Sequence, residues 1–279
     1  MLMKSVEVNR ERLESAYQTA LQALLKERHP DGYWVGELST SALSTATAIM
    51  AFSQVQKATD RWGNFDELIQ NGLQWLADNQ NEDGGWGDTT VSISNISTTM
   101  LCRAAIRLAG AESTHAEASQ RADAWVEERY GKTPEDQAEA VRQRYGKDRT
   151  FAVPILTTCA LADMVSWKEV PSLPFELACF PQSWFRFLRL HVVSYALPAL
   201  IAIAQCVHHH RKPWNPIARV VRWLSINRSL KVLKKIQPTN GGYLEATPLT
   251  SFVTLSLASI GRAEHPVVET ANEFLLASV

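Results

Sequence analysis

Apolar residues recur at helical spacing along most of the chain, and no stretch alternates Val, Ile or Thr with polar residues at the period of a strand. Between Asn9 and Arg28 they fall at Leu13, Ala16, Tyr17, Ala20, Leu21, Leu24 and Leu25, one stripe of an amphipathic helix. Ser39 to Val55 is a run of Ala, Ser, Thr and Leu without a breaker, and Phe65 to Asn79 is amphipathic, with Leu68, Ile69, Leu73, Trp75 and Leu76 on its apolar face. The alternation then repeats. Ser94 to Leu108 is a second small-residue helix, and His115 to Arg129 a charged one with Ala118, Ala122 and Trp125 turned inward. Thr133-Pro134-Glu135-Asp136 joins an N-cap, a proline at the first helical position and acids in the first turn, so it predicts a helix start. Ala152 to Val165 predicts an apolar helix, and Leu190 to Val207 a buried helix kinked at Pro198, too interrupted by His191, Pro198 and Gln205 to read as a membrane span. Trp167 to Pro181 carries three prolines among apolar residues, which predicts a loop packed on the body rather than a flexible linker. The expectation is therefore one all-α repeat domain over residues 1–279.

Three glycine-aromatic turns punctuate this pattern: Asp31-Gly32-Tyr33-Trp34, Asp83-Gly84-Gly85-Trp86 and Gly241-Gly242-Tyr243. Trp34 and Trp86 are 52 positions apart, and Gly85 and Gly241 are 156 apart, three such intervals, which suggests stacked supersecondary units with weakened copies between.

Composition narrows the function classes. The formal charge of −1 and the lack of a reader motif argue against nucleic acid as a partner. Four widely spaced cysteines without a CxxC pair, and a start without a signal-like apolar stretch, point to a reducing cytoplasmic setting. From His208 to Ile236 there are eight Lys or Arg residues and no acid. A solvated face is the simplest reading of that asymmetry; anionic lipid headgroups, a diphosphate, or the acidic region from Glu112 to Glu139 are alternative counterparts.

The segment Gln74-Trp75-Leu76-Ala77-Asp78-Asn79-Gln80-Asn81-Glu82-Asp83-Gly84-Gly85-Trp86 resembles the glutamine-tryptophan repeat of squalene-hopene cyclases and related class II terpenoid cyclases. The turn around Asp31-Gly32-Tyr33-Trp34, the Pro-rich segment around Pro171-Ser172-Leu173-Pro174, and Gln237-Pro238-Thr239-Asn240-Gly241-Gly242-Tyr243 are similar to further parts of the same family. In such a turn Trp is expected to cover a helix N-terminus while Gln ties the loop to backbone amides. The resemblance covers nearly the whole chain but only the amino-terminal half of a cyclase. It implies an α/α barrel of inner and outer helices, an incomplete one if the series stops here, with an apolar edge where further repeats would dock. It also implies a polyprenyl or triterpene substrate folded in a cavity, no cofactor, and a proton delivered by an Asp-x-Asp-Asp motif. These 279 residues contain no such motif, and no Asp follows Asp163. Two readings follow: a partial or split cyclase, in the split case with a partner subunit that brings the acid, or a non-catalytic isoprenoid-binding scaffold.

The candidate substrate-binding residues are Glu245, which follows the third turn where the cyclases place a cavity-lining residue, and the aromatics Phe151, Phe185, Tyr195 and Phe252, whose faces suit isoprenoid or cationic intermediates. Against each stands a structural role, capping or solvent contact for Glu245 and core packing for the aromatics. No residue is assigned a catalytic role. His208-His209-His210 reads as a basic helix end rather than a metal site, because adjacent side chains on a helix diverge and no carboxylate lies nearby in sequence. The closely spaced Asp and Cys ligands of zinc prenyltransferases, the Asp-rich magnesium sites of class I synthases, the nucleophile elbow and the P-loop are all missing from the sequence.

Overall fold

The computed structural model describes residues 9–34, 39–146, 148–187 and 195–278. They fall into two compact units, Met1–Ser39 and Thr40–Val279.

The first unit is one helix and one turn. Helix α1 (Arg10–Lys26) starts at the N-cap Asn9, whose side chain accepts from Arg12 N–H at 3.0 Å. Beyond it Trp34 Nε1 donates back to Leu24 O at 2.6 Å, and Arg28 lies over the indole and donates to Gly32 O.

The second unit alternates richly buried helices with half-exposed ones. The buried set is α2 (Ala42–Ala58), α4 (Ile96–Leu108), α7 (Arg149–Leu161), α9 (Leu197–His210) and α11 (Thr247–Ala258). Around them stand α3 (Asp66–Asp78), α5 (Ala116–Tyr130), α6 (Pro134–Tyr145), α10 (Pro216–Ile236) and α12 (Pro266–Leu276), while the short α8 (Gln182–Phe187) precedes α9. Among the described residues there is no strand.

The inner helices form a closed ring, α2 against α4, α4 against α7, α7 against α9, α9 against α11, and α11 back against α2. All five run the same way. Lys57 near the end of α2 reaches Leu108 O at the end of α4. Tyr145 bonds Ser97 at the start of α4 and stacks on Phe151 at the start of α7. Trp167, after α7, stacks on His210 at the end of α9. Cys206, late in α9, meets Ser259 at the end of α11, and Thr59 and Glu264 join the segments that follow α2 and α11. The α2–α11 pair packs most extensively of all, and both helices are rich in buried small residues such as Ala46, Ala51, Ser251 and Ser256. The ring thus closes within this chain, and there is no open edge between its first and last inner helices.

One local expectation changes. The helix of the apolar segment starts at Leu197, so Pro198 sits in its first turn, where its missing N–H leaves no intrahelical bond unmade, and does not kink it; residues 188–194 of that stretch lie outside the described residues. The Pro-rich segment packs on the body as anticipated, its short 3-10 turn Phe175–Cys179 lying on α9 and α10. At α6 the structure has the anticipated start, with Thr133 and Asp136 bonded reciprocally as a capping box and Pro134 at the first position.

Candidate functional site

The three turns share one bond, and the second and third share a larger set. Trp86 Nε1 donates to Leu76 O at 2.8 Å and Tyr243 OH to Leu233 O at 3.1 Å, each to a carbonyl ten residues back, as Trp34 does to Leu24. The aromatic thus caps the C-terminal end of the preceding helix, not an N-terminus, because the acceptor it finds is one of the free last-turn carbonyls. The Gln amide likewise binds carbonyls: Gln80 Nε2 donates to Gly84 O and Ala118 O, and Gln237 Nε2 to Gly241 O and Val267 O. In the second and third turns the backbone N–H of the aromatic residue donates to the next inner helix, Trp86 N to Thr99 Oγ1 and Tyr243 N to Thr250 Oγ1, both at 3.0 Å. In the second turn Asp83 holds Gly85 N–H, Ser94 and Trp125 Nε1. Among the described residues no turn between the second and third repeats this ten-residue bond, so the weakened copies that the spacing suggests do not carry it.

The parallel inner ring brings the N-terminal ends of its helices to one end, and with them several of the residues singled out above. Phe151 is the third residue of α7, 47% exposed and stacked on Tyr145. Tyr195, 48% exposed, lies just before α9. Glu245 precedes α11 with φ near +53°, exposed, its carboxylate accepting a 3.4 Å bond from Asn240 Nδ2. The parallel ring brings all three to one end. Phe252 sits deeper in α11, half-buried against the core, and Phe185 is a half-buried residue of α8, whose neighbour Trp184 stacks on Phe180.

Four carboxyls among the described residues are pushed toward their ionised form. Hydrogen bonds from Gln56 to Asp66, from Arg142 to Glu139 and from Thr150 to Asp148 push those carboxyls below their ordinary values. Burial pushes Asp83 up, but the bonds from Ser94, Gly85 and Trp125 outweigh it and leave it low. The thiols are inert: burial pushes Cys159 and Cys206 up to about 12 and Cys102 well up, and all four cysteines are free.

The histidine triplet forms the last turn of α9, and two of its rings are packed against aromatic neighbours. His208 is buried against Phe175, and burial, then the charges of Arg222 and Lys212, hold it below its ordinary value; His210 lies flat on Trp167 at 4.1 Å and is lowered by burial. Their rings serve as neutral packing surfaces at neutral pH. Among the described residues no group of three or more His, Cys, Asp or Glu could hold a metal.

Sequence reasoning missed the unusual polarity of α10. Its buried residues are Arg222, Ser225 and Ser229 along with Leu230 and Leu233, Arg222 pairing with Glu176 and Ser172 and Ser229 with Gln205, while Ile217, Val220, Val221, Trp223 and Leu224 stand exposed. The signal lay in the charge count of the segment, which hides its hydrophobic outer face. No helix among the described residues is long and apolar enough to cross a membrane.

A ring of parallel inner helices, sheathed by outer helices and stapled by glycine-aromatic turns, defines an α/α barrel of the terpenoid-cyclase kind. The chain belongs to the squalene-hopene cyclase N-terminal domain family, which it matches over residues 17–241. It is 30% identical over 193 residues, 69% of this chain, to enfumafungin synthase efuA of Hormonema carpetanum. It is also 28% identical over 173 residues, 62% of this chain, to the squalene--hopene cyclase of Zymomonas mobilis. The matched parts cover only 13% and 23% of those two relatives.

Proposed function

We propose that this chain is the amino-terminal part of a terpenoid cyclase system that binds a polyprenyl chain at the N-terminal end of its inner ring but does not itself protonate it. The observation that carries the reading is that half-exposed Phe151 and Tyr195 lie at that end, at or just before the starts of α7 and α9, with Glu245 just before α11 at the same end. Aromatic faces suit an alkene or a carbocation, whereas protonating an alkene needs a carboxylic acid kept neutral. A partner subunit, where one takes part, supplies that acid at this end rather than closing the ring, which α11 and α2 already close. The reading treats residues 1–279 as one repeat domain, on the strength of the bond shared by all three turns. In equilibrium binding of squalene from detergent micelles, replacing Phe151 and Tyr195 together by Ser is expected to weaken binding several-fold; unchanged binding contradicts the assignment.

Peripheral membrane contact through α10 accompanies this reading. Its exposed Ile217, Val220, Val221 and Leu224, flanked by Arg228, Lys231 and Lys235, suit an anionic interface that a lipid-soluble substrate would share. The expected result is co-flotation with anionic vesicles, lost in Val220→Glu. A chain that stays at the bottom of the gradient rules out the contact. The four free thiols fit a reducing cytoplasmic setting.

A further inference from the structure

Helix α1 carries an apolar stripe that lies open. No residue of the helix is buried, and Leu13, Tyr17 and Leu24 are each more than half exposed. An amphipathic helix of 17 residues is marginal alone in water and takes its stability from burying such a stripe.

The turn after α1 shows what kind of element would cover it. In the second and third turns the glutamine stands six residues before the aromatic and donates to the glycine carbonyl. It donates again to the first turn of an outer helix, at Ala118 O in α5 and at Val267 O in α12. The same two helices press on the turn glycines: a Cβ on Gly84 would lie 2.7 Å from Arg121 O, and one on Gly241 would strike Thr270 O. In the first turn Arg28 holds the place of the glutamine, six residues before Trp34, and makes the first of these bonds, to Gly32 O at 3.2 Å. Gly32 keeps the positive φ, near +93°, yet among the described residues a Cβ there would meet only the guanidinium of Arg28 itself. The first turn thus has the form of a seat for the start of a helix, and among the described residues no helix presses on it.

The sequence of α1 identifies the helix that fits. Reversed about the midpoint between Gln18 and Thr19, the stripe falls on itself: Leu13 meets Leu24, Ala16 meets Leu21 and Tyr17 meets Ala20. The same reversal sets Arg10 against Glu27, opposite charges at the two ends. A stripe that maps onto itself on reversal is what a two-fold antiparallel pair requires. That register also carries the first turn of one α1, Arg10 to Leu13, to the end of the other, beside the seat at Arg28 and Gly32.

We propose that α1 pairs with α1 of a second copy of this chain, antiparallel and in this register, each copy's turn receiving the first turn of the other's helix. The inference does not depend on the isoprenoid reading.

Light scattering of the full chain after size exclusion, over a concentration series reaching about 100 μM, tests it. A dimer is expected. Leu24→Glu, a change at an exposed position, is expected to raise the dimer Kd about tenfold or more without lowering Tm. Arg10→Glu sets two acids together and is expected to weaken the dimer several-fold. Adding Glu27→Arg reverses both charges and is expected to restore it, which a merely disrupted helix would not do. Val220→Glu, on the exposed face of α10, is expected to leave the dimer intact. A monomer at every concentration, a dimer indifferent to Leu24→Glu, one lost in Val220→Glu, or no recovery in the charge-reversed double variant overturns the proposal.

Discussion

Trp86→Ala is expected to destabilise the Thr40–Val279 unit by about 3–5 kcal/mol, among the largest effects of any single truncation in the chain. Trp86 is wholly buried, so its loss opens a cavity that the surrounding helices cannot readily fill. It also strips the Leu76 carbonyl of its donor at the end of α3. Trp86→Phe separates the two contributions: it keeps most of the packing and loses the bond, and should cost about 1–3 kcal/mol. Trp34→Ala removes the same bond in the first turn, but that indole is 46% exposed, so the cost should be a fraction of that at Trp86. Chemical denaturation of the three variants checks the order. Equal losses for Trp34→Ala and Trp86→Ala contradict the view that burial, rather than the bond, carries the staple.

Gly241→Ala is expected to cost about 3 kcal/mol or more, through a different mechanism. Gly241 has φ near +85°, which L side chains rarely adopt, and an added Cβ would lie 1.9 Å from the carbonyl oxygen of Thr270. That oxygen belongs to the backbone of α12, so the whole helix must move to admit a methyl group. Gly261→Ala is the control: φ is similar, near +76°, but nothing lies within 4 Å, and only the backbone strain of about 1–2 kcal/mol is felt. For a chain of this size each kcal/mol lowers Tm by roughly 2–4 °C. Thermal unfolding should therefore place Gly241→Ala well below Gly261→Ala, and coincident midpoints would remove close approach to α12 as the reason for glycine.

The elements were legible where local chemistry decides them. Asn9, Thr133 and Pro134 mark helix starts by their own side chains, and the small-residue runs at Ser39 to Val55 and Ser94 to Leu108 mark the inner helices because only Ala, Ser and Thr let several helices share one axis. What depends on partners distant in sequence was not legible. The direction of the Trp86 bond requires knowing that Leu76 has a free carbonyl. The closure of α11 on α2 joins segments some two hundred residues apart, as the Thr59–Glu264 bond shows. The neutrality of His208 depends on Phe175 and Arg222, both far from it in sequence.

The candidate site was legible only as residue types. Phe151, Tyr195 and Glu245 are separated by helices in the sequence and come to one end only because the inner helices run parallel. Phe252 reads like them in sequence, yet its place deeper in α11 turns it against the core.

The central claim, that this chain carries the cyclase architecture without a proton donor of its own, is tested most directly by incubating the purified chain with squalene and analysing the extract by gas chromatography and mass spectrometry. The account predicts unreacted squalene and no cyclic product above a heat-killed control. A hopene-like or any other cyclic product formed by the chain alone would contradict it.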